Sequence, residues 1–277
     1  MRPSLPTPSD DAVPRLRERR QRVQSAVTGM AVLKGLAALG GRASLTALAG
    51  RIGESPPKVH RYLVSLIEEG LVAQEANSQQ YHLGVEALQI GLAAMRQGDP
   101  LRVAEPALAQ LREALEVTCF VAVMGNRGPT IVRIEEPALP VIVNVRAGSV
   151  MPLLWSATGR AFLGFADDAT VRSLAEAELA ATTPAARATL DPRDPIGELQ
   201  RTVRAQGCAA VRDTNLKGIS AIAAPVFDYT GRVCAVLTAL GATGGFDASV
   251  DGSIGLAVRR HARALSVQLG QPARPGD

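Results

Sequence analysis

The sequence predicts a two-domain α+β protein, and three observations support this fold class. The chain has 277 residues, which is more than one typical domain needs and enough for two. Its first third shows short helical patterns followed by a hairpin, and the remainder alternates helical patterns with strands. Hydrophobic residues make up 47% of the chain but aromatic residues only 3%, so the cores must consist of Ala, Leu, Val and Ile.

Residues 1–22 are predicted to form a disordered basic tail. Residues 1–14 are rich in Pro, Ser and Asp, and residues 15–22 hold five arginines, which form either a solvated tail or an arm that touches phosphates. Residues 1–96 carry 12 Lys/Arg and 8 Asp/Glu, whereas 97–277 carry 18 of each. This excess of positive charge could attract nucleic acid, or it could reflect only a general preference for arginine.

Three helices are predicted between residues 27 and 69. The first covers 27–39, where apolar residues recur at helical spacing: Val27, Met30, Leu33 and Ala37. Ser44 caps a short second helix that Gly53 ends. The third helix covers 56–69, with Ser55 as its N-cap and two prolines in its first turn, where a missing N–H costs nothing.

The third helix has two distinct faces. Its core face consists of Val59, Leu63, Leu66 and Ile67, and the opposite face carries Lys58, Arg61, Tyr62 and Ser65. Two short strands are predicted after it, at 71–74 and 80–83. Three helices followed by a two-stranded hairpin form a winged helix-turn-helix, which we expect over residues 23–83.

Residues 84–99 are predicted to form a linker helix. Its apolar residues have the spacing of a coiled-coil seam over two heptads: Val85, Leu88, Leu92 and Met95. Two heptads are too short for a stable coiled coil alone, but they could help to pair two linkers in a homodimer. Gly98-Asp99-Pro100 then breaks the helix.

Residues 100–277 are predicted to form the second, α/β domain. Helices are expected at 100–116, 155–165, 169–180, 196–206 and 249–269, with a loop over 182–195. Strands are expected at 118–125, 129–135, 141–146, 209–212, 219–227 and 233–240.

Several classes of protein are disfavoured by the sequence. The three cysteines are far apart, so we expect no disulfide framework, no metal site and a reducing cytoplasm. No signal peptide and no run of 18 apolar residues are present, so we expect no association with a membrane. No catalytic motif and no cofactor-binding loop are found, and the adjacent pair Glu135-Glu136 would point to opposite faces of a strand. An enzyme therefore stays only a remote alternative, with no predicted catalytic residue and no cofactor.

A set of short motifs over residues 22–269 resembles the IclR-type regulators, the isocitrate lyase regulator family. The motifs are Ala47-x-x-x-x-Ile52-Gly53, Lys58-Val59-His60-Arg61-Tyr62-Leu63, Glu68-Glu69-Gly70-Leu71-Val72, Tyr81-x-Leu83-Gly84, Gly148-Ser149-x-x-Pro152-Leu153, Gly159-Arg160-Ala161, Gly207 and Ala223-Ala224-Pro225-Val226-Phe227-Asp228. Each is weak alone, but their order and spacing are fairly specific. The resemblance implies a transcription regulator with a GAF-like effector-binding domain built on a central antiparallel sheet.

The resemblance makes 56–69 the recognition helix of a domain that binds double-stranded operator DNA. Its start is expected to meet base edges in the major groove, with Arg61 on guanine or phosphate. The candidate DNA contacts are Arg42, Ser44, Ser55, Pro57, Lys58, Arg61 and Tyr62. The wing residues 77–79 are candidates for the minor groove, and His60 is expected to orient the helix. The family also implies a homodimer or a homotetramer.

The resemblance also implies a small-molecule effector site. The candidate residues are Leu154, Trp155, Ser156, Thr158, Arg160, Val211, Ala221, Thr238 and Leu240. Several polar positions typical of relatives are aliphatic in this chain, which favours an apolar or aromatic acid over glyoxylate. Trp155 could stack on such a ligand or belong to the core, and Arg160 could pair with a carboxylate or with a surface acid. A dimeric DNA-binding regulator with no effector is the main alternative.

Overall fold

The computed structural model describes residues 23–97, 99–137 and 145–271. They belong to two compact units, the first ending at Ala94 and the second starting at Met95. The predicted tail over 1–22 lies outside the described residues, and so do residues 141–144 of the strand expected over 141–146. Val145 and Arg146, the end of that expected strand, are not in a strand. No helix within the described ranges is long and apolar enough to cross a membrane.

The first unit contains three helices, three short strands and most of the linker helix. The elements are α1 (Gln24–Ala38), β1 (Arg42–Ala43), α2 (Leu45–Ile52), α3 (Pro56–Glu68), β2 (Val72–Gln74), β3 (Tyr81–Leu83) and α4 (Val85–Gln97). The strands form one antiparallel sheet in the order β1-β3-β2. This is the winged helix-turn-helix expected from the sequence. β1 was not predicted, because two residues are too few to show a periodic pattern.

Helix α1 buries a different face from the one that carries its apolar repeat. Val27 and Met30 are each 47% exposed, while the buried residues are Thr28, Gly29, Val32, Gly35 and Leu36. The glycine at 35 explains why this face is buried, because a Cβ at this position would lie 2.5 Å from Cγ2 of Ile52. Helix α2 therefore packs directly against the backbone of α1, and the face of α1 that contains Gly35 is turned to the core.

Helix α3 largely has the two faces expected from its sequence. Val59, Leu63 and Leu66 are buried, but Ile67 is 36% exposed and does not belong to the core. Tyr62, expected on the outer face, is half-buried and packs against the core of this unit. The ring of tyrosine is long enough to reach back across the helix surface towards α1, where it lies beside Gly29.

The second unit is a five-stranded antiparallel sheet with helices on both faces. Its elements are α5 (Pro100–Leu115), β4 (Thr118–Gly125), β5 (Gly128–Glu135), α6 (Ala157–Phe165), α7 (Ala169–Ala180), α8 (Pro184–Arg187), α9 (Pro195–Gln206), β6 (Ala209–Arg212), β7 (Ile219–Phe227), β8 (Val233–Ala242) and α10 (Ser253–Gln268). The strand order is β5-β4-β8-β7-β6. The short helix α8 lies within the segment that was expected to be a loop.

Alternate residues of the strands build two separate cores. Ala221 and Ala223 of β7 contribute to a core with α6, α7 and α9, whereas Ile222 and Ala224 contribute to a core with α5 and α10. This alternation follows from the period of two in a strand. Both cores consist mainly of Ala, Leu, Val and Ile, as the composition requires.

Candidate functional site

The start of α3 offers no free backbone N–H groups. Pro56 and Pro57 have none, and the N–H groups of Lys58 and Val59 both donate to the carbonyl of Ser55 at 3.0 Å. Ser55 occupies the N-cap position, but its side chain makes no capping hydrogen bond. An anion or a base at this end of the helix must therefore be held by side chains.

Two of the basic candidates at this surface are paired with carboxylates. Nζ of Lys58 lies 2.8 Å from Oε1 of Glu54, and NH1 of Arg42 lies 3.1 Å from Oε2 of Glu75. The hydroxyl of Ser78 donates to the same oxygen of Glu75 at 2.5 Å. The hydrogen bond from Ser78 and the charge of Arg42 lower the pKa of Glu75, so Glu75 is ionised at neutral pH.

Arg61 stands apart from these pairs. It is exposed in the middle of the outer face of α3, and among the described residues its guanidinium has no hydrogen-bonding or ionic partner. It is thus the candidate with its full donor capacity available for DNA. Pro57 is exposed beside it but has only apolar surface to offer.

The remaining candidates in this unit have structural partners. The Ser44 hydroxyl accepts a hydrogen bond from the N–H of Ala47 at 3.3 Å and so caps α2. Nδ1 of His60 lies 3.3 Å from the hydroxyl of Tyr81 on β3. This contact joins α3 to the sheet, and the orienting role of His60 stays a prediction.

The second unit contains a cavity of about 370 Å³, including its mouth, between α6 and the sheet. Six of the nine predicted effector residues line it: Ser156, Thr158, Val211, Ala221, Thr238 and Leu240. The register of the strands brings them together, because Ala221 is paired with both Val211 and Leu240 across the sheet.

Sequence reasoning missed seven further lining residues. They are Phe120, Val145, Met151, Ala157, Asn215, Leu216 and Ile219. Phe120 is the direct partner of Thr238 in the sheet, a relation that only the pairing of β4 with β8 reveals. Asn215 and Leu216 lie in the loop before β7, whose sequence carries no pattern that would assign it to a pocket. None of the described lining residues is charged.

Most polar groups of the cavity lie around the start of α6, while Asn215 lies in the loop before β7. The hydroxyls of Thr158 and Thr238 lie 2.9 Å apart and are both buried. One of the two hydroxyl hydrogens forms the hydrogen bond between the threonines. The other hydroxyl hydrogen is therefore free to donate to an acceptor on a ligand. The backbone N–H groups of Ala157 and Thr158 have no acceptor within the described part of the chain, and first-turn N–H groups are favourable for anions.

Ser156 is already engaged in starting the helix. Its hydroxyl donates to the carbonyl of Pro152 at 2.7 Å and accepts from the N–H of Gly159 at 2.9 Å. It is therefore the N-cap of α6, and the helix begins two residues later than the sequence predicted. Trp155 and Ser156 lie outside the helix for this reason.

Three predicted effector residues do not line this cavity. Leu154 is completely buried in the core, and the indole of Trp155 is half-buried against that core. Nε of Arg160 donates to the carbonyl of Leu154 at 2.8 Å, and burial lowers the pKa of this guanidinium. The geometry thus makes Arg160 a support for the loop before α6 rather than a lining group.

Glu178 is a second support of the same loop that the sequence did not reveal. Its two carboxylate oxygens accept the N–H groups of Leu153 at 2.7 Å and Leu154 at 3.1 Å. Burial raises the pKa of Glu178, and the two hydrogen bonds oppose this shift. The hydroxyl of Thr214 also donates to the carbonyl of Trp155 at 2.6 Å. Side chains from three segments therefore fix the backbone of residues 153–155.

The predicted seam of the linker helix is open to solvent in the single chain. Val85 is 62% exposed, Leu88 60% and Leu92 44%, and the side chain of Met95 lies outside the described residues. Such a run of exposed apolar side chains is expected where another surface covers it.

Neither metal chemistry nor thiol chemistry is indicated by the described residues. They contain no group of three or more His, Cys, Asp or Glu side chains placed to hold a metal ion. Burial raises the pKa of Cys119 to about 12 and that of Cys234 to about 11. Neither thiol is therefore activated as a nucleophile.

Comparisons with known proteins agree with both units. The IclR helix-turn-helix domain matches residues 25–76, and the bacterial transcriptional regulator IclR C-terminal domain matches residues 93–267. The crystal structure of Pseudomonas aeruginosa HmgR is 42% identical, covers 91% of this chain and all of its own, and superposes with a TM-score of 0.79. The Escherichia coli DNA-binding transcriptional repressor YiaJ is 26% identical over 93% of this chain and 92% of its own.

A more distant structure shares the fold. An IclR homologue from Microbacterium hydrocarbonoxydans, complexed with 4-hydroxybenzoate, is 16% identical, covers 88% of this chain and 98% of its own, and has a TM-score of 0.52. The matched families and relatives are transcription regulators and not enzymes. The winged helix-turn-helix accordingly has DNA as its partner. The chain belongs to the IclR family of bacterial transcriptional regulators.

Proposed function

We propose that this protein is a regulator whose operator binding is controlled by a small apolar or aromatic acid. In this proposal residues 23–83 bind the operator, 84–99 link the domains, and 100–277 bind the effector. The observation that carries the proposal is the cavity under α6, which has mainly apolar walls and a group of free donors at the start of that helix.

The shape of the cavity favours an acid with an apolar body. Phe120, Val211 and Leu240 supply the apolar surface that such a body needs. A carboxylate would take the N–H groups of Ala157 and Thr158 together with the spare hydroxyl hydrogen of the threonine pair. Helix N-termini bind carboxylates without a cationic side chain, so an acid fits a cavity whose described lining residues are uncharged.

The Microbacterium hydrocarbonoxydans homologue supports the class of ligand. That protein was crystallised with 4-hydroxybenzoate, an aromatic acid. The shared fold thus supports an aromatic acid as the class of ligand proposed for this chain.

Operator binding is assigned to the outer face of α3 and its neighbours. Arg61 is proposed to read a base or a phosphate directly, because it is exposed and has no partner among the described residues. Ser55, Lys58 and Arg42 are proposed to contact the DNA beside it, and Tyr62 and Ser44 to act chiefly by holding the helices in place. The open seam of α4 supports a homodimer as the binding form, from which a homotetramer on DNA could form.

A thermal-shift experiment on the full chain tests the effector assignment. The probes are 4-hydroxybenzoate and benzoate on one side, and glyoxylate and pyruvate on the other. A ligand at about 100 times its Kd stabilises the folded state by ~2.7 kcal/mol. We expect a shift with an aromatic acid that Thr238→Val reduces and that the exposed-site control Thr170→Val leaves unchanged. A shift with the oxo-acids alone would contradict the apolar assignment, and no shift with any probe would favour a regulator without an effector.

A further inference from the structure

We propose that Glu54 and Glu75 are specificity-determining residues that suppress binding to DNA other than the operator. Each carboxylate holds one basic side chain of the DNA-binding surface in an ion pair and adds a negative charge beside it. The proposal uses DNA binding by the winged helix-turn-helix and is independent of any effector.

The first pair lies at the start of the recognition helix. Glu54 precedes the N-cap of α3, and its Oε1 lies 2.8 Å from Nζ of Lys58, one turn further along the chain. The two side chains are 32% and 36% exposed, so the pair is accessible from outside. Since this helix start has no free backbone N–H, Lys58 is its main donor towards a phosphate, and Glu54 occupies that donor.

The second pair joins β1 to the wing. NH1 of Arg42 and Oε2 of Glu75 lie 3.1 Å apart, with the two side chains 55% and 40% exposed. The hydrogen bond from Ser78 fixes the carboxylate of Glu75 on the wing turn. The charge of Arg42 is thereby held against the wing instead of being free to follow a phosphate.

The charge balance of the DNA-binding domain makes these two ion pairs important, because the domain has few basic side chains. Residues 23–83 contain five basic side chains, Lys34, Arg42, Arg51, Lys58 and Arg61, and four acidic ones, Glu54, Glu68, Glu69 and Glu75. The net charge is therefore only +1, and two of the five cations already have an acidic partner. Because attraction to non-specific DNA depends mainly on free cations, the folded domain has little of it.

The pairs can still open on the correct operator. Exposed ion pairs are individually weak, so a phosphate held in register by Arg61 and by base contacts can replace the carboxylate. On other DNA sequences Arg61 and the base contacts do not hold a phosphate in this position, and each carboxylate repels the DNA backbone that approaches it. The expected result is a loss of non-specific affinity that is larger than any loss of operator affinity.

The test compares Glu54→Gln, Glu75→Gln and the double variant with wild type in the full chain. The probe is a duplex of scrambled sequence, and its affinity is measured by fluorescence anisotropy between about 50 and 200 mM salt. We expect each single variant to bind this duplex about 3–10-fold more tightly at the lowest salt, and the slope of log K against log salt to steepen by ~0.9 for each phosphate gained. The control Glu68→Gln removes the same charge from the far end of α3 and should do neither.

Three outcomes would overturn the proposal. Glu54 or Glu75 would be excluded from this role if its variant matched Glu68→Gln in both the affinity for the scrambled duplex and the salt dependence of that affinity. Weaker binding of the scrambled duplex by these variants would show that the carboxylates position the cations for DNA instead of withholding them. If Lys58→Gln and Arg42→Gln left both quantities unchanged, these cations would not contact DNA and their partners could not control it. Thermal melting of each variant confirms that it is folded, and glutamine keeps the shape of the glutamate it replaces.

Discussion

The hydroxyls of Thr158 on α6 and Thr238 on β8 lie 2.9 Å apart, buried beneath the helix and 80 residues apart in the chain. This pair closes one end of the cavity and fixes the start of α6 to the centre of the sheet. The two hydroxyls share one hydrogen bond, so the pair is expected to respond to substitution as a unit.

The first prediction concerns this pair. Thr238→Val should destabilise the protein by about 1–3 kcal/mol, because it leaves the hydroxyl of Thr158 buried without its partner. Adding Thr158→Val should cost less than the first substitution did, since no polar group then stays unsatisfied. Unfolding in urea measures Thr238→Val, Thr158→Val and the double variant, with Thr118→Val as a buried control on the same sheet. Strictly additive losses would show that the two hydroxyls are independent.

The second prediction concerns Arg61. Arg61→Ala should weaken binding to an operator, selected from random duplexes with the wild-type protein, by about 1–3 kcal/mol. Arg61→Lys keeps the charge but loses the bidentate fork, so it should recover phosphate binding and not base discrimination. Anisotropy with operator and scrambled duplexes separates the two cases. An unchanged operator affinity in Arg61→Ala would remove this residue from the interface.

The third prediction concerns the pH dependence introduced by Glu178. Its pKa is raised above the ordinary value of 4.5, mainly by burial, so the folded protein binds this proton more tightly than the unfolded chain. The contribution of Glu178 to stability is therefore fully present below pH 4.5 and is lost as the pH rises through the raised pKa. Glu178→Gln cannot titrate, and this part of the pH dependence should disappear.

Urea unfolding at a series of pH values checks this expectation. The comparison is the difference in unfolding free energy between wild type and Glu178→Gln at each pH. Glu176→Gln, on the exposed side of the same helix, serves as the control, since its carboxylate lies at the surface, 3.0 Å from Nε of Arg172. A difference that stays constant above pH 4.5 would contradict the assignment to Glu178.

The fourth prediction concerns the open seam of the linker helix. Leu88→Glu should weaken self-association, because it places a charge in the apolar stripe with Val85 and Leu92. Operator affinity should fall with it, since a dimer reads two half-sites. Sedimentation equilibrium measures the association, and Gln89→Glu adds the same charge at the adjacent exposed position. Equal association in both variants would place the dimer interface elsewhere.

Local patterns were sufficient for most of the secondary structure. Glycine and proline mark the ends of α2 and α3, and the spacing of Val59, Leu63 and Leu66 identifies the face that α3 buries. Periodicity failed on α1, where the apolar stripe of Val27 and Met30 is exposed. The glycine at 35 allows α2 to approach α1 closely, and the spacing of hydrophobic residues does not reveal such an approach.

The sequence by itself determined most of the helices and strands, the class of each domain and the family, because caps, turns and periodic patterns act over a few residues. Only the tertiary structure decided which residues share the cavity, since the order β4-β8-β7-β6 places Phe120 beside Thr238 and Ala221 between Val211 and Leu240. It also decided that Glu178 supports the loop before α6 and that Arg42 is paired with the wing. Contacts between distant segments depend on strand order and register, and no short stretch of sequence specifies either.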